Sequence, residues 1–349
     1  MVNKVRFGII GTGVGANFCA NGIALIADSG VAELTAITSR REERAKEFAS
    51  KWGVKHWYTD YKKMLKEAPI DAVIISTPHY LHYPMTLDAL EAGKHVLVDK
   101  PMAISLKEAD EMIKKAEEKG LKLGVNFQSR FDQTVRKVKE AADKGVFGRL
   151  ISGEAVVEWF RTQEYYESSS WRGRWATEGG GALINQAIHT IDLLVWILGQ
   201  PKCLWAQMDT FAHNIEVEDL AVATIRFENG AIGVIQGSTA IYPGLPTRLE
   251  IHGTKGTAII EGETLKRWSV VGEEEIVSEG TKKGLKSWAR PELVPPVNHA
   301  ALIKDFAEAI IEDRKPFVDG VEGRRSLEVI MAIYKSSRTN SVVNFPLTE

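Results

Sequence analysis

The sequence predicts an α/β doubly wound parallel sheet followed by an α+β domain built on a mostly antiparallel, open-faced sheet. Three observations support this fold class. An apolar strand at Val5–Ile10 leads into a glycine-rich turn, strands then alternate with helices to about residue 125, and longer alternating strands follow. Because 349 residues exceed what one hydrophobic core usually spans, we expect one domain over residues 1–124 and another over residues 125–349.

The first half shows short apolar runs, each separated from the next by a helical pattern. Ser105 with Glu108 forms a capping box that opens the last of these helices, and Gly120 ends it. Continuously apolar strands between helices indicate a parallel sheet that is covered on both faces. Strands are predicted at 5–10, 32–38, 72–76, 95–98 and 121–125, and helices at 18–26, 41–50, 81–92 and 106–120.

The second half combines hairpins with a few helices. Glu228-Asn229-Gly230 is a hairpin turn signal between two alternating runs, and residues 253–256 separate another pair. These patterns favour an antiparallel meander. Strands are predicted at 220–227, 231–240, 248–252 and 257–260, helices at 134–144, 182–198, 300–312 and 322–336, and a polar loop at 271–297.

Composition excludes several function classes. The chain carries 44 Lys plus Arg against 46 Asp plus Glu, a net charge of −2 with no basic block, so neither nucleic acid nor a membrane surface is an expected partner. Cys19 and Cys203 form no metal-binding or disulfide pattern, and we expect no metal site. No apolar run approaches the roughly 20 residues of a membrane span. We therefore expect a cytoplasmic protein.

The glycine-rich turn has the spacing of a dinucleotide site. Gly11-Thr12-Gly13-Val14-Gly15-Ala16 fits G-x-G-x-x-G/A, in which backbone approaches a pyrophosphate at a helix N-terminus, and its strand-turn-helix context predicts a Rossmann domain. An NAD site commonly has a carboxylate after the second strand. Ser39 and Arg40 stand there instead, which favours NADP over NAD. The alternative is that Arg40 is only a solvated side chain.

A lysine follows the fourth apolar strand of this domain. Lys100 lies between that strand and Pro101, at the sheet edge where open α/β sheets bind ligands, so it can bind the reacting oxygen. A surface lysine is the alternative. The neighbouring strand ends at residues predicted to shape the nicotinamide pocket: Ser76, Thr77, Pro78, His79 and His82.

The helix predicted at 182–198 carries a polar row on an otherwise apolar cylinder. Asn185, His189, Asp192 and Trp196 follow one another at spacings of four, three and four. This row indicates a cleft in which His189, between an amide and a carboxylate, can transfer a proton. A structural histidine is the alternative, and metal binding is disfavoured because no second histidine has ligand spacing.

A segment rich in aromatic residues and arginine lies before this helix. Aromatic faces pack against sugar rings and guanidinium groups pair with anions, so an anionic sugar derivative is a plausible substrate. A subunit interface or core edge is the alternative. The predicted substrate contacts in this segment are Trp159, Arg161, Trp171 and Arg172.

These motifs together resemble the glucose-fructose oxidoreductase/inositol dehydrogenase family, also called Gfo/Idh/MocA. The resemblance covers nearly the whole chain: GTGVGA at 11–16, Ser-Thr-Pro at 76–78 with His82, residues 92–96 leading to Asp99-Lys100-Pro101, and residues 179–192. It implies a Rossmann domain, an open-faced C-terminal sheet, homodimers or homotetramers through that sheet, and NAD(P)-dependent oxidation or reduction of sugars or polyols.

Residue by residue, Lys100 resembles the family's active-site lysine and His189 its acid/base histidine. Asp99 replaces the family's glutamate beside the nicotinamide, and Asn185 stands where many members have aspartate. Because an amide cannot take up a proton, Asn185 is expected to orient substrate or His189. The Asn-Gln-x-x-His form is similar to the branch that oxidises the 3-hydroxyl of nucleotide-linked amino-sugar acids. Gln128 completes the predicted cofactor-binding set.

We therefore predict an NAD(P)-dependent dehydrogenase or reductase in which Lys100 and His189 assist proton transfer at a sugar hydroxyl. Two other functions are compatible with the chain. One is a non-enzymatic NADP-binding sensor, against which Lys100 and His189 argue. The other is a dihydrodiol or biliverdin-type reductase, whose flat apolar substrate would suit the tryptophans but leave Arg161, Arg172 and Arg174 without a charged partner.

Overall fold

A computed structural model describes residues 4–278 and 296–347 of the chain. The described residues divide into two compact units, one over 4–131 and 296–324 and one over 132–278 and 325–347. The segment 296–324 thus belongs to unit 1, whereas the sequence analysis assigned it to the second domain. Two glycines allow the helix Val297–Ile311 of this segment to pack closely against the rest of unit 1. A Cβ on Gly22 would lie 3.0 Å from the Ala300 amide nitrogen, and a Cβ on Gly124 would lie 2.8 Å from the Phe306 ring.

Unit 1 contains a six-stranded, all-parallel sheet in the order β3-β2-β1-β4-β5-β6, which confirms the predicted doubly wound sheet. The short, exposed strand β3 was not predicted because three residues carry no detectable period. The strands are β1 (Val5–Ile10), β2 (Ala32–Thr38), β3 (His56–Tyr58), β4 (Ala72–Ile75), β5 (His95–Val98) and β6 (Leu123–Val125).

Helices follow the strands of unit 1, and their ends carry the expected chemistry. Ser105 Oγ accepts from the Glu108 amide at 3.2 Å, as expected of the N-cap. The Glu108 carboxylate accepts at 3.1 Å from the Ile104 amide, one residue before the N-cap, so the second bond of the predicted capping box is shifted by one residue. Gly120 ends that helix in the left-handed conformation. The helices are α1 (Val14–Leu25), α2 (Glu42–Trp52), α3 (Tyr61–Glu67), α4 (His82–Glu91) and α5 (Leu106–Lys119).

Unit 2 contains a mixed, mostly antiparallel sheet of nine strands in the order β14-β13-β12-β11-β7-β10-β9-β8-β15; only β7 with β10 pairs in parallel. Part of the predicted 271–297 loop pairs as β14, and residues 279–295 lie outside the described residues. The strands are β7 (Leu150–Glu158), β8 (Pro201–Asp209), β9 (Leu220–Phe227), β10 (Ile232–Ser238), β11 (Arg248–Gly253), β12 (Gly256–Glu261), β13 (Thr264–Val270), β14 (Ile276–Val277) and β15 (Val343–Asn344).

The remaining helices are α6 (Gln133–Asp143), α7 (Gln163–Glu167), α8 (Trp175–Glu178) and α9 (Ile188–Leu198) in unit 2, α10 (Val297–Ile311) in unit 1, and α11 (Gly320–Thr339), which contributes residues to both units. Helix α9 continues a π-helical turn over Ala182–Ala187. Side chains absent at Gly153 and Gly237 make room for Leu194 and Leu183 of this helical segment against the sheet.

The helical segment 182–198 forms the core of unit 2. Its predicted apolar face is buried, with every member at most 4% exposed. By length and composition alone, Trp175–Leu198 could cross a membrane, contrary to the expectation from the sequence. Most of it is buried within the unit, as a core helix of a globular domain also is.

Candidate active site

The carboxyl edge of the unit 1 sheet brings together residues that follow four different strands. The amides of Ser76, Asp99 and Asn126 donate to the carbonyls of Ile10, Ile75 and Val98 at 2.8–2.9 Å, so neighbouring strands end in step. The Gly11 amide donates to Thr38 in the same way. Strand ends at one edge of a parallel sheet form the usual ligand crevice of this fold.

The glycine turn is shaped for close approach of backbone. Gly11 has φ +118°, and a Cβ there would lie 2.0 Å from the Ser76 carbonyl oxygen. A Cβ on Gly13 would have nothing within 4 Å, which leaves open space over the N-terminus of α1. That terminus has no side-chain cap, so its amides are available to a pyrophosphate. The predicted residues Thr12, Val14 and Ala16 belong to this turn and first helical turn, and they fit a dinucleotide.

A hydrogen-bonded carboxylate lies beneath this turn. Asp99 accepts from Ser76 Oγ at 2.9 Å and from Asn126 Nδ2 at 3.0 Å, and a Cβ on Gly15 would approach Asp99 Oδ2 to 2.5 Å. Asp99 is thus held against the glycine turn by its neighbours. Asn126 was missed by the sequence analysis, although its place directly after a predicted strand could have identified it.

The end of the second strand lies beside the same turn. Thr12 Oγ1 and Ser39 Oγ are 3.4 Å apart, and the Arg41 amide lies 3.4 Å from Ser39 Oγ. Arg40 is exposed. The residues that end this strand, Thr38 to Arg40, include no carboxylate.

His82 joins two of the predicted nicotinamide-pocket segments. Its ring nitrogens lie 2.7 Å from the Pro101 carbonyl oxygen and 2.8 Å from the Thr77 carbonyl oxygen. Burial lowers the pKa of His82, and the nearby Lys100 ammonium lowers it further, while the carbonyls and Asp99 act in the opposite direction. His82 therefore links the segment after β4 to the segment after β5. The buried His79 ring lies 5.8 Å from the His82 ring.

Among the remaining predicted residues of unit 1, Pro78 precedes the short helix that contains His79, and Gln128 opens another short helix at Gln128–Phe131. Lys100 is half-buried at the end of the strand that precedes Pro101. Within the described residues, no group of three His, Cys, Asp or Glu side chains could hold a metal ion.

In unit 2, the predicted polar row begins on the π-helical turn. Glu218 holds the start of this turn, because its carboxylate accepts from the Gly181 and Leu183 amides at 2.8 and 2.9 Å and from Tyr334 Oη at 3.0 Å. Burial nevertheless raises the pKa of Glu218 to about 7. A wider π turn changes which side chains share a face, and such turns are frequent at functional sites.

Asn185 lies among polar side chains that the sequence analysis did not assign to the site. Its Nδ2 donates to Glu178 Oε1 and lies 3.4 Å from Tyr165 Oη, and Gln186 Nε2 donates to the same Tyr165 oxygen at 2.9 Å. Burial raises the pKa of Glu178 to about 7, against the opposing effect of the hydrogen bonds from Gly173 and Asn185. No sequence signal distinguishes Glu178 from an ordinary surface glutamate.

His189 follows Asn185 by one turn and is half-buried. Asp192, the next member of the row, is buried and accepts from Ser326 Oγ at 2.7 Å, so it has a structural partner within unit 2. The Lys139 ammonium lies 5.6 Å from the Trp196 ring. The four residues therefore do not all line an open cleft: the first two are accessible in part, while the third belongs to the core.

The predicted arginine and aromatic contacts form one stack around Tyr165. Arg161 lies 5.5 Å and Arg172 lies 4.3 Å from the Tyr165 ring centre, and Arg161 also covers Trp159 at 5.0 Å. Arg161 donates to Gln186 Oε1 at 3.1 Å. Arg172 covers Trp171 at 5.4 Å, and its buried Nε has no hydrogen-bond partner among the described residues. The stack places two cations next to Asn185.

Comparison with known proteins identifies the family of this chain. Residues 5–127 match the model described as "Oxidoreductase family, NAD-binding Rossmann fold", and residues 135–259 match the GFO/IDH/MocA C-terminal domain. The chain belongs to the Gfo/Idh/MocA family. It is accordingly an oxidoreductase that acts on CH–OH groups, in the class of NAD-binding sugar and polyol dehydrogenases.

Three relatives show the range within this family. The WlbA dehydrogenase from Bordetella pertussis, solved with NADH and UDP-GlcNAcA, is 32% identical with TM-score 0.87, covering 99% of this chain and 100% of that one. Myo-inositol 2-dehydrogenase from Thermotoga maritima is 27% identical, with coverage of 95% and 96%. The scyllo-inositol 2-dehydrogenase (NADP(+)) IolW from Bacillus subtilis is 25% identical, with coverage of 98% and 96%.

Proposed function

We propose that this protein oxidises, or in reverse forms, a hydroxyl group on the sugar ring of a nucleotide-linked sugar acid, with NADP or NAD as cofactor. The observation that carries the proposal is the polar pair Asn185 and His189 on a buried apolar helix, next to the arginine stack around Tyr165. The similarity to a dehydrogenase solved with UDP-GlcNAcA supports the substrate class.

The nicotinamide cofactor supplies the hydride acceptor or donor when bound. In the oxidative direction, His189 takes the hydroxyl proton as the general base, and the Lys100 ammonium stabilises the negative charge that develops on the oxygen. Asn185 orients the reacting hydroxyl or its neighbour through a hydrogen bond. Lys100 belongs to unit 1 and His189 to unit 2.

The anionic part of the substrate is assigned to the arginine stack. Guanidinium groups pair with carboxylates and phosphates through two parallel hydrogen bonds, and Arg172 retains a buried Nε donor without a partner among the described residues. Trp159 and Trp171 provide apolar faces against a sugar ring. Arg172 also borders an open groove of about 420 Å³ whose other charged members are Arg174, Glu167 and Glu216.

For the cofactor we propose NADP. Ser39 and Arg40 end the second strand without a carboxylate, which favours a 2′-phosphate over a free ribose hydroxyl. Named relatives include both an NADH complex and an NADP(+)-dependent enzyme, so the family admits either choice. Arg40→Ala should weaken NADPH binding about tenfold and leave NADH binding unchanged, because one charge-assisted phosphate contact is lost.

We also propose a cytoplasmic homodimer or homotetramer that associates through the unit 2 sheet. Trp205, Val222 and Ile232 lie on one face of this sheet, each at least 40% exposed, which is unusual for large apolar side chains. The sequence has two cysteines, Cys19 and Cys203, and no disulfide framework, a pattern that fits a reducing compartment. Light scattering of the purified protein tests the assembly.

The test of function is a titration with NADPH and NADH followed by a screen of UDP-sugar acids, free sugar acids, sugars and inositols for change in nicotinamide absorbance. We expect the protein to turn over a UDP-sugar acid, and we expect this substrate to have the lowest KM of the compounds in the screen. Turnover of inositols alone would contradict a nucleotide-linked sugar acid as the substrate and would indicate a polyol instead. Cofactor binding without turnover of any substrate would favour the sensor function.

A further inference from the structure

Glu178 is a buried carboxyl group that the proposed reaction does not use. It ends α8, has 1% of its surface exposed, and accepts from the Gly173 amide on Oε2 at 2.5 Å and from Asn185 Nδ2 on Oε1. The contact to Asn185 joins it to a residue proposed to touch the substrate. If Glu178 sets the orientation of the Asn185 side-chain amide, it therefore also affects the proposed substrate site.

An asparagine side chain has two orientations that differ in which atom is donor and which is acceptor. Nδ2 of Asn185 faces Glu178 and Tyr165 Oη, so both of its N–H groups are directed at side chains of this chain. An ionised carboxylate can only accept hydrogen bonds, and it would repel Oδ1. The carboxylate of Glu178 thus selects the orientation in which Asn185 turns its acceptor oxygen away from Glu178.

We propose that Glu178 is a positioning residue that fixes the Asn185 side chain as a hydrogen-bond acceptor for the substrate. This inference rests on the proposed function and adds a chemical requirement to it. The substrate group beside Asn185 is a donor, namely a hydroxyl or an amide N–H, and a carbonyl oxygen in that place is rejected.

The same contact accounts for asparagine rather than aspartate at position 185. Aspartate there would bring two carboxylates within hydrogen-bond distance in a buried place, and one of them would have to take up a proton. Asparagine beside glutamate avoids this repulsion. The double substitution N185D with E178Q would avoid the repulsion equally, because the amide and the carboxylate would change places. The glutamine oxygen could accept from the Gly173 amide, and its NH₂ group could donate to the aspartate.

This interchange can be tested with the whole chain at pH 8, where Glu178 is mostly ionised. N185D and E178Q are compared with the double variant, and Glu228→Gln, an exposed hairpin carboxyl, is the control. We expect each single variant to raise KM for the sugar substrate about tenfold, the double variant to return to within about threefold of wild type, and kcat to change less than KM.

A double variant whose KM equals or exceeds the product of the single effects would overturn the inference, since Glu178 would then act on the fold and not through Asn185. The urea unfolding described below reports whether each variant is folded. If E178Q alone does not fold, the comparison of N185D with the double variant carries the test.

A substrate-free measurement separates this inference from the proposed function. Urea unfolding is measured for wild type, N185D, E178Q and the double variant. N185D should unfold at a lower urea concentration than wild type, and the double variant should return to the wild-type midpoint. If wild type turns over no sugar, the proposed function fails. Recovery in urea still supports the pairing of Glu178 with residue 185, and absence of recovery overturns it.

Discussion

Unit 1 forms its ligand-binding edge from backbone amides, glycines and short side chains, whereas unit 2 forms its polar site from long, stacked and buried charged side chains. In unit 1, Asp99 is held by Ser76 and Asn126, which come from neighbouring strand ends. In unit 2, Tyr165 is held between Arg161 and Arg172. The difference fits the proposed roles, with the cofactor at the unit 1 edge and the substrate at the unit 2 site.

The largest effect should come from Lys100 at the unit 1 edge. Lys100→Met should lower turnover about a thousandfold, since it removes the ammonium that stabilises the developing oxyanion. Cofactor affinity should stay within about twofold, because backbone amides hold the pyrophosphate. Stopped-flow turnover and NADPH fluorescence measure the two quantities.

Lys107→Met is the matched control for Lys100→Met, because Lys107 is an exposed lysine on α5 of the same unit. It should behave as wild type. Near-normal turnover of Lys100→Met would show that Lys100 does not take part in the reaction. Unit 1 would then have only a binding role.

A second prediction tests the backbone character of the unit 1 site. Gly11→Ala should unfold at a lower temperature and lose cofactor affinity about a hundredfold, because its Cβ would lie 2.0 Å from the Ser76 carbonyl oxygen and φ is +118°. Gly13→Ala should keep the wild-type melting temperature, because its Cβ meets no protein atom within 4 Å. It should still weaken NADPH binding about tenfold.

Calorimetry and NADPH titration of the two variants measure these effects. Equal melting temperatures for Gly11→Ala and Gly13→Ala would contradict the close approach between Gly11 and the neighbouring strand. Unchanged affinity in Gly13→Ala would show that the pyrophosphate does not lie over the N-terminus of α1.

The same difference between the units explains how much could be predicted from the sequence. Strand ends and the glycine turn are local features, so Gly11, Ser76 and Lys100 could be placed at one sheet edge from spacing alone. Helix 182–198 was predicted from its period, and its apolar face is buried as expected.

The surroundings of Asn185 could not be predicted in this way. Glu178 and Tyr165 lie 7 and 20 residues before it, with no periodic relation, and their contact depends on the loop between α7 and α8. The π turn at Ala182–Ala187 also departs from the predicted helix. It depends on Glu218, 35 residues after Leu183, which accepts from the amides at its start. Such tertiary carboxylate contacts leave no local signal.

The last prediction concerns stability and pH, and the expected effect has opposite signs in the two units. In unit 2, burial raises the pKa of Glu178 and Glu218 to about 7. Between about pH 4.5 and 7 the folded state therefore binds more protons than the unfolded state, and unit 2 loses stability as pH rises through this interval. Each carboxyl contributes on the order of 3 kcal/mol at most.

In unit 1, burial lowers the pKa of His299 to about 4, against a weaker opposing effect of Asp99. The unfolded state then binds more protons between pH 4 and about 6.5, so unit 1 loses stability as pH falls through that interval. Hydrogen exchange read by mass spectrometry, corrected for intrinsic rates, resolves the two units through peptides from β4 and β9. We expect protection of β4 to rise from pH 5 to 7 and protection of β9 to fall.

Glu218→Gln and His299→Gln assign these slopes to their groups. Each substitution should reduce the pH dependence in its own unit, where Glu178 or His82 still has a shifted pKa, and leave the slope of the other unit unchanged, because a neutral amide does not titrate. Parallel slopes in the two units, or slopes that neither substitution reduces, would mean that the buried groups do not control stability in this range. Opposite slopes would show that the polar core of unit 2 is most stable when its carboxyls are neutral, so ionisation of Glu178, which orients Asn185, is obtained at a cost in stability.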